Sequence, residues 1–97
     1  MTQPTSRVTG VTVNKASGAI TLFNKTTTAN LIESFTVTNS LVEIGDTINL
    51  SVRATANFFA FVTNVTAGSF RVSIFTPVAT TIQAPILNFT IIKGVSA

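Results

Sequence analysis

The 97-residue chain has no cysteine, no histidine, no tryptophan and no tyrosine, and only three acidic residues, Glu33, Glu43 and Asp46. Each absence removes a class of chemistry. Without cysteine there is neither a disulfide framework nor a thiolate zinc site. Without histidine or cysteine, a serine hydroxyl has no imidazole base beside it and there is no thiol nucleophile; no Gly-x-Ser-x-Gly elbow occurs either. Glycoside hydrolysis needs two carboxylates about 5–10 Å apart. Three acids allow three pairs, and the pair Glu43 and Asp46, which shares one turn, reads as solvated turn carboxylates. Glu43-Ile44-Gly45-Asp46 is too poor in acids for a calcium loop, and no Gly-x-x-x-x-Gly-Lys phosphate loop is present. Sugar-binding modules usually stack Trp or Tyr on the sugar ring, so a glycan would have to be held through Asn and Thr hydrogen bonds alone. The expectation is a protein without enzymatic activity, cofactor or metal.

Charge is equally scarce. Charged residues make up 9% of the chain, against about 25% in an ordinary soluble domain. The six bases, Arg7, Lys15, Lys25, Arg53, Arg71 and Lys93, give a net charge of +3 and a pI near 10.3. That pI reflects few acids rather than many bases. The bases are scattered, whereas nucleic-acid binders cluster theirs, so no nucleic-acid partner is expected. No apolar run approaches the roughly 20 residues of a membrane span, and no membrane partner is expected. Met1 to Arg7 contains no apolar segment of the signal-peptide kind, which predicts synthesis in the cytoplasm. The triplets beginning at Asn24, Asn49, Asn64 and Asn88 fit the glycosylation pattern, as a Thr-rich chain does by chance.

What the chain does have is alternation. Val11 and Val13 flank Thr12, and Ile20 and Leu22 flank Thr21. Phe35 and Val37 alternate with Thr36 and Thr38. Ile48, Leu50 and Val52 alternate with Asn49, Ser51 and Arg53, and Phe70, Val72 and Ile74 with Arg71 and Ser73. Successive side chains of a strand point to opposite faces of a sheet, so this pattern predicts half-buried strands. Turn signals at Asn14–Gly18, Asn24–Asn30, Asn39-Ser40 and Glu43–Asp46 recur at roughly 8–12-residue spacing, as in antiparallel sandwiches and barrels. The expected fold is all-β: an antiparallel β-sandwich of about seven strands, of jelly-roll or immunoglobulin-like type, over residues 8–97. The inward residues would include Val11, Ile20, Leu22, Phe35, Val37, Ile48, Leu50, Val52, Phe70, Val72, Ile74 and Phe89. Residues 1–7, polar and holding Pro4, read as a flexible N-terminal arm. Asn30 to Glu33 leaves room for a single helical turn.

Two stretches break the alternation. Phe58-Phe59-Ala60-Phe61-Val62 is apolar throughout, and Ile86-Leu87 and Ile91-Ile92 flank Asn88-Phe89-Thr90. A strand apolar on both faces needs cover on both. Either these are central strands under loops, or a neighbouring subunit covers them. Phe58, Phe59, Phe61, Ile86 and Ile92 are therefore the candidate interface residues. Apolar residues reach 45% and the mean hydropathy is +0.53, high for a small monomer, so a homo-oligomer (dimer or trimer) or an assembly component is expected.

Four segments, taken together, carry a resemblance. They are Ser17-Gly18-Ala19-Ile20-Thr21-Leu22; Ser34 to Ser40 followed by Asp46 to Val52; Ala67-Gly68-Ser69-Phe70-Arg71-Val72-Ser73-Ile74; and Asn88 to Gly94. In this order and spacing, over about residues 9–95, the chain resembles small Thr/Ser-rich β proteins of tailed bacteriophages, either free-standing virion proteins or terminal domains of fibres. The stretch from Phe58 to Val62 is more aromatic than that pattern. The resemblance implies a location on the virion and supplies no catalytic residues. It implies a capsid decoration or cement protein on the capsid surface, with the major capsid protein as partner; the alternative is a receptor- or glycan-binding fibre domain.

Overall fold

The computed structural model describes residues 1–53, 58–79 and 84–94; the last three residues of the expected 8–97 domain lie outside them. Seven strands form: β1 (Val11–Thr12), β2 (Ser17–Thr21), β3 (Leu31–Thr38), β4 (Thr47–Arg53), β5 (Phe59–Thr66), β6 (Ser69–Thr76) and β7 (Ile86–Ile92). They build two sheets, a four-stranded one in the order β1-β3-β6-β5 and a three-stranded one in the order β2-β7-β4. All neighbours are antiparallel except the two-residue β1, which runs parallel to β3. Among the described strands only β5 and β6 form a hairpin; every other consecutive pair lies in different sheets. The expected all-β sandwich of seven strands is the fold observed.

The alternation becomes the core. Val11, Ile20, Leu22, Phe35, Val37, Phe70, Val72, Ile74 and Phe89 are buried, joined by Val13, Val42, Phe58, Leu87 and Ile91. The Phe70 and Phe89 rings meet across the two sheets, 5.8 Å apart and tilted at 58°, a geometry that aromatic quadrupoles favour. Ile48, Leu50 and Val52 point inward but are only half buried. The reason is topological: β4 is an edge strand, and β5, beside it, is the edge of the other sheet. The sandwich is therefore less tightly closed along that seam.

Three local readings need correction. Residues 1–7 are docked rather than flexible. The Met1 carbonyl accepts from Thr21 N–H at 2.7 Å, and Gln3 N–H donates to the Thr21 carbonyl at 2.8 Å. The buried Gln3 amide donates to the carbonyls of Arg7 and Thr9, both at 2.9 Å, and accepts from Phe23 N–H at 3.1 Å. The segment bends sharply where Ser6 N–H reaches the Pro4 carbonyl (2.6 Å) with Thr5 at φ 65°. For a β-branched residue this conformation costs of the order of 1–3 kcal/mol and persists only where the surroundings impose it. Second, Gly18 lies in a strand rather than a turn. A Cβ there would sit 3.2 Å from the Phe89 ring, so glycine lets the ring pack close against the strand. Third, no helical turn forms at Asn30–Glu33. Asn30 takes the left-handed conformation (φ 58°), which Asn tolerates, and β3 begins at the next residue.

Candidate functional site

Strand β3 contains an inversion. Its inward positions are Leu31, Glu33, Phe35 and Val37, and its outward ones Ile32, Ser34, Thr36 and Thr38. At Ile32-Glu33 the charge points in and the hydrocarbon points out, opposite to what a half-buried strand ordinarily does.

Inside, Glu33 meets Arg7. The Arg7 side chain has no exposed surface, and its Nη1 lies 3.5 Å from Glu33 Oε1. Its Nε donates to the Phe23 carbonyl at 2.8 Å and its Nη2 to the Lys25 carbonyl at 3.4 Å. The guanidinium lies 5.5 Å from the Phe58 ring centre, a cation–π arrangement. Glu33 also accepts from Lys25 Nζ at 3.0 Å. Burial pulls the Arg7 pKa below its ordinary value, and Glu33 partly restores it. The charge thus ties the N-terminal segment into one end of the sandwich.

Outside, Ile32 is 62% exposed and belongs to a row. The registers place Ile32 opposite Phe75 and Phe75 opposite Phe59, across β3, β6 and β5. Phe59 and Phe75 stack with centroids 6.5 Å apart. The next row is Ser34, Ser73 and Phe61, whose two serine hydroxyls share a hydrogen bond of 2.8 Å. Phe59 is 57% and Phe61 46% exposed. Ile32, Phe59, Phe61 and half-buried Phe75 therefore form one apolar patch on the outer face of the four-stranded sheet. The row beyond is Thr36, Arg71 and Asn64. Arg71 is exposed and lies diagonally from Phe61, within reach of a long side chain on a sheet.

The candidate interface residues separate accordingly. Phe59 and Phe61 lie on this face. Phe58 does not: it is buried under Arg7, because strand alternation turns it and its neighbour Phe59 to opposite sides. Ile86 and Ile92 lie on the outer face of the other sheet, at the two ends of β7, about 20 Å apart by strand rise. Ile86 sits between Thr21 and Arg53, and Ile92 beside Thr47. The positions between them, Asn88 and Thr90, are polar, so these two residues make no joint patch. Residue type alone missed Ile32 and Phe75. Ile32 beside an inward-facing Glu33 was their signal, but it is readable only once the facing of β3 is known.

The opposite end of the molecule carries the other two acids. Asp46 is buried, not solvated. Its carboxylate accepts from Lys93 Nζ, at 2.6 Å, and from the backbone N–H groups of Glu43 (2.9 Å) and Gly94 (3.0 Å). The Lys93 ammonium and those two N–H groups hold its pKa down at about 2, and Asp46 in turn raises that of Lys93. Glu43, largely exposed, lies 3.6 Å from the same ammonium. A cleft of about 380 Å³ opens there, lined by Ala16, Ser40, Leu41, Glu43, Ile91 and Lys93. All three acidic side chains are thus in ion pairs. Lys15, Arg53 and Arg71 form no ion pair among the described residues. No group of three acidic or other metal-ligating side chains occurs among the described residues, and no helix of theirs is long and apolar enough to cross a membrane. No family model, curated protein or solved structure matches the chain.

Proposed function

We propose that the chain is a structural virion protein, a capsid decoration or cement protein of a tailed bacteriophage, that docks on the shell through the outer face of its four-stranded sheet. The observation that carries the reading is the patch of Ile32, Phe59, Phe61 and Phe75, aromatic and exposed on a rigid sheet. Contiguous exposed apolar surface of this kind marks interaction sites, and aromatic anchors supply most of the energy of protein interfaces. The resemblance of the segments around β2, β3–β4, β6 and β7 to small phage virion proteins directs the docking to the capsid, with the major capsid protein as partner. Reinforcement would follow from surface buried across subunit junctions. Ile48, Leu50, Val52, Ala60, Val62 and Val65 pack against the core from the two edge strands and stay half exposed, so the β4–β5 seam leaves some apolar surface open to a second copy.

Purified particles of the encoding phage test this directly. Densitometry should show the chain in a fixed, high ratio to the major capsid protein, and particles lacking it should disrupt at lower temperature. Particles devoid of the chain would end the reading. A few copies per particle, with binding to host cells, would assign it to a fibre instead.

A further inference from the structure

The docking face also specifies the chemistry of what it meets, and this step rests on the reading above. Four apolar side chains lie together, and the nearest charge on the same face is Arg71, diagonal to Phe61. Among the described residues the face has no carboxylate: Glu33 points into the core, and Glu43 and Asp46 sit with Lys93 at the other end of the sandwich. Arg71 has no carboxylate partner among the described residues. A partner seated on Phe59 and Phe61 desolvates the guanidinium beside them. A charge covered without a match weakens binding, whereas a charge-matched one is neutral or favourable and also speeds encounter. A second copy is a poorer match: its Glu33 and Asp46 are buried in ion pairs, and its exposed Glu43 already lies 3.6 Å from Lys93. Nucleic acid and anionic lipid call for clustered bases, and this face has one.

The geometry points to a protein partner that presents an apolar spot flanked by a carboxylate, the apolar part seated on Ile32, Phe59, Phe61 and Phe75 and the carboxylate paired with Arg71. Arg rather than Lys at this position suits a planar, bidentate grip on a carboxylate.

Two measurements test this without depending on each other. In the first, the isotopically labelled chain is titrated by NMR with a short designed peptide of Phe, Leu and Glu, and with counterparts carrying Gln or Lys in place of Glu. The Glu peptide should shift the resonances of Ile32, Phe59, Phe61, Arg71 and Phe75 and bind more tightly than either counterpart. Arg71→Glu should reverse the preference in favour of the Lys peptide. Equal binding of all three peptides, shifts located elsewhere, or an unchanged preference in Arg71→Glu would overturn the inference. In the second, wild type, Arg71→Glu and the double variant Phe59→Ser/Phe61→Ser are co-sedimented with capsids lacking the chain. Arg71→Glu should lose about tenfold or more in affinity, and wild-type binding should weaken with salt. The Phe variant should lose binding at any salt concentration. Capsid binding that survives Arg71→Glu but not the Phe changes overturns the acidic partner and keeps the docking face. A positive peptide result with no capsid binding keeps the acidic partner and removes the capsid.

Discussion

Replacing Glu33 with Gln takes the carboxylate away from a guanidinium whose side chain has no exposed surface. Arg7 keeps the Phe23 and Lys25 carbonyls at 2.8 and 3.4 Å and the Phe58 ring, but its charge then lies inside the sandwich without the Glu33 carboxylate. Breaking a buried pair in this way costs about 3–5 kcal/mol, a large part of the roughly 5–15 kcal/mol that holds such a domain together. Arg7→Met should cost less, about 2–3 kcal/mol, because Glu33 still has Lys25 Nζ at 3.0 Å and that ammonium is 35% exposed. The double variant Arg7→Met/Glu33→Leu, with neither charge left inside, should recover most of the loss. For a domain of this size each kcal/mol corresponds to roughly 4–8 °C in Tm, so Tm should rise in the order Glu33→Gln, Arg7→Met, double variant. With no Trp or Tyr to report, urea unfolding is best followed by far-ultraviolet circular dichroism, with the slope m expected unchanged. A Glu33→Gln protein within about 0.5 kcal/mol of wild type would refute a structural role for the pair. A double variant no more stable than Glu33→Gln would refute the explanation through an uncompensated charge.

Other outcomes follow from particular contacts. Asp46 ionises at about 2 in the folded chain, against an ordinary 3.8. A depressed carboxylate favours the folded state above its unfolded pKa, so its contribution is complete above about pH 4 and is lost as pH falls toward 2; denaturation midpoints across that window should decline less steeply for Asp46→Asn than for wild type. Phe59→Ser should alter stability by no more than about 1 kcal/mol, since more than half of the residue already faces water, whereas Phe70→Ala should cost about 3–5 kcal/mol; equal losses in the two would contradict the assigned facing of β5. Gly68→Ala should cost about 1–2 kcal/mol by the same unfolding assay, because Gly68 turns the β5–β6 hairpin at φ 86°, where a Cβ is crowded. Sedimentation velocity over a range of concentrations should show self-association that Val62→Lys weakens, if the β4–β5 seam joins copies.

The strands were legible because period-2 alternation is a direct consequence of the pleat. Val11, Ile20, Phe35, Val37, Phe70, Val72, Ile74 and Phe89 can be assigned to the interior from spacing alone, and they are there. The depth of burial was not legible. Ile48, Leu50 and Val52 have the clearest alternation of all, yet they stay half exposed, since strand order makes β4 an edge. Leu50→Ala should therefore cost less than Leu87→Ala. The Phe58–Val62 run is apolar at every position, so residue type does not tell its two faces apart. Only the pairing with β6 tells that Phe58 faces in and Phe59 and Phe61 face out.

Composition and periodicity determined by themselves that this chain makes an all-β sandwich of about seven strands and that its reactive groups are few. Both properties are local: they depend on which side chains are present and how they alternate over a few residues. Tertiary structure alone decided the rest, since it depends on residues far apart in the chain. It brought Arg7 to Glu33, so that a segment read as a loose arm became part of the core. It set Ile32, Phe75 and Phe59 side by side from three strands, with Phe61 in the next row and Arg71 diagonal to it. The inversion at Ile32-Glu33 is where both events meet: the charge turned inward anchors the N-terminus, and the hydrocarbon turned outward extends the exposed apolar patch.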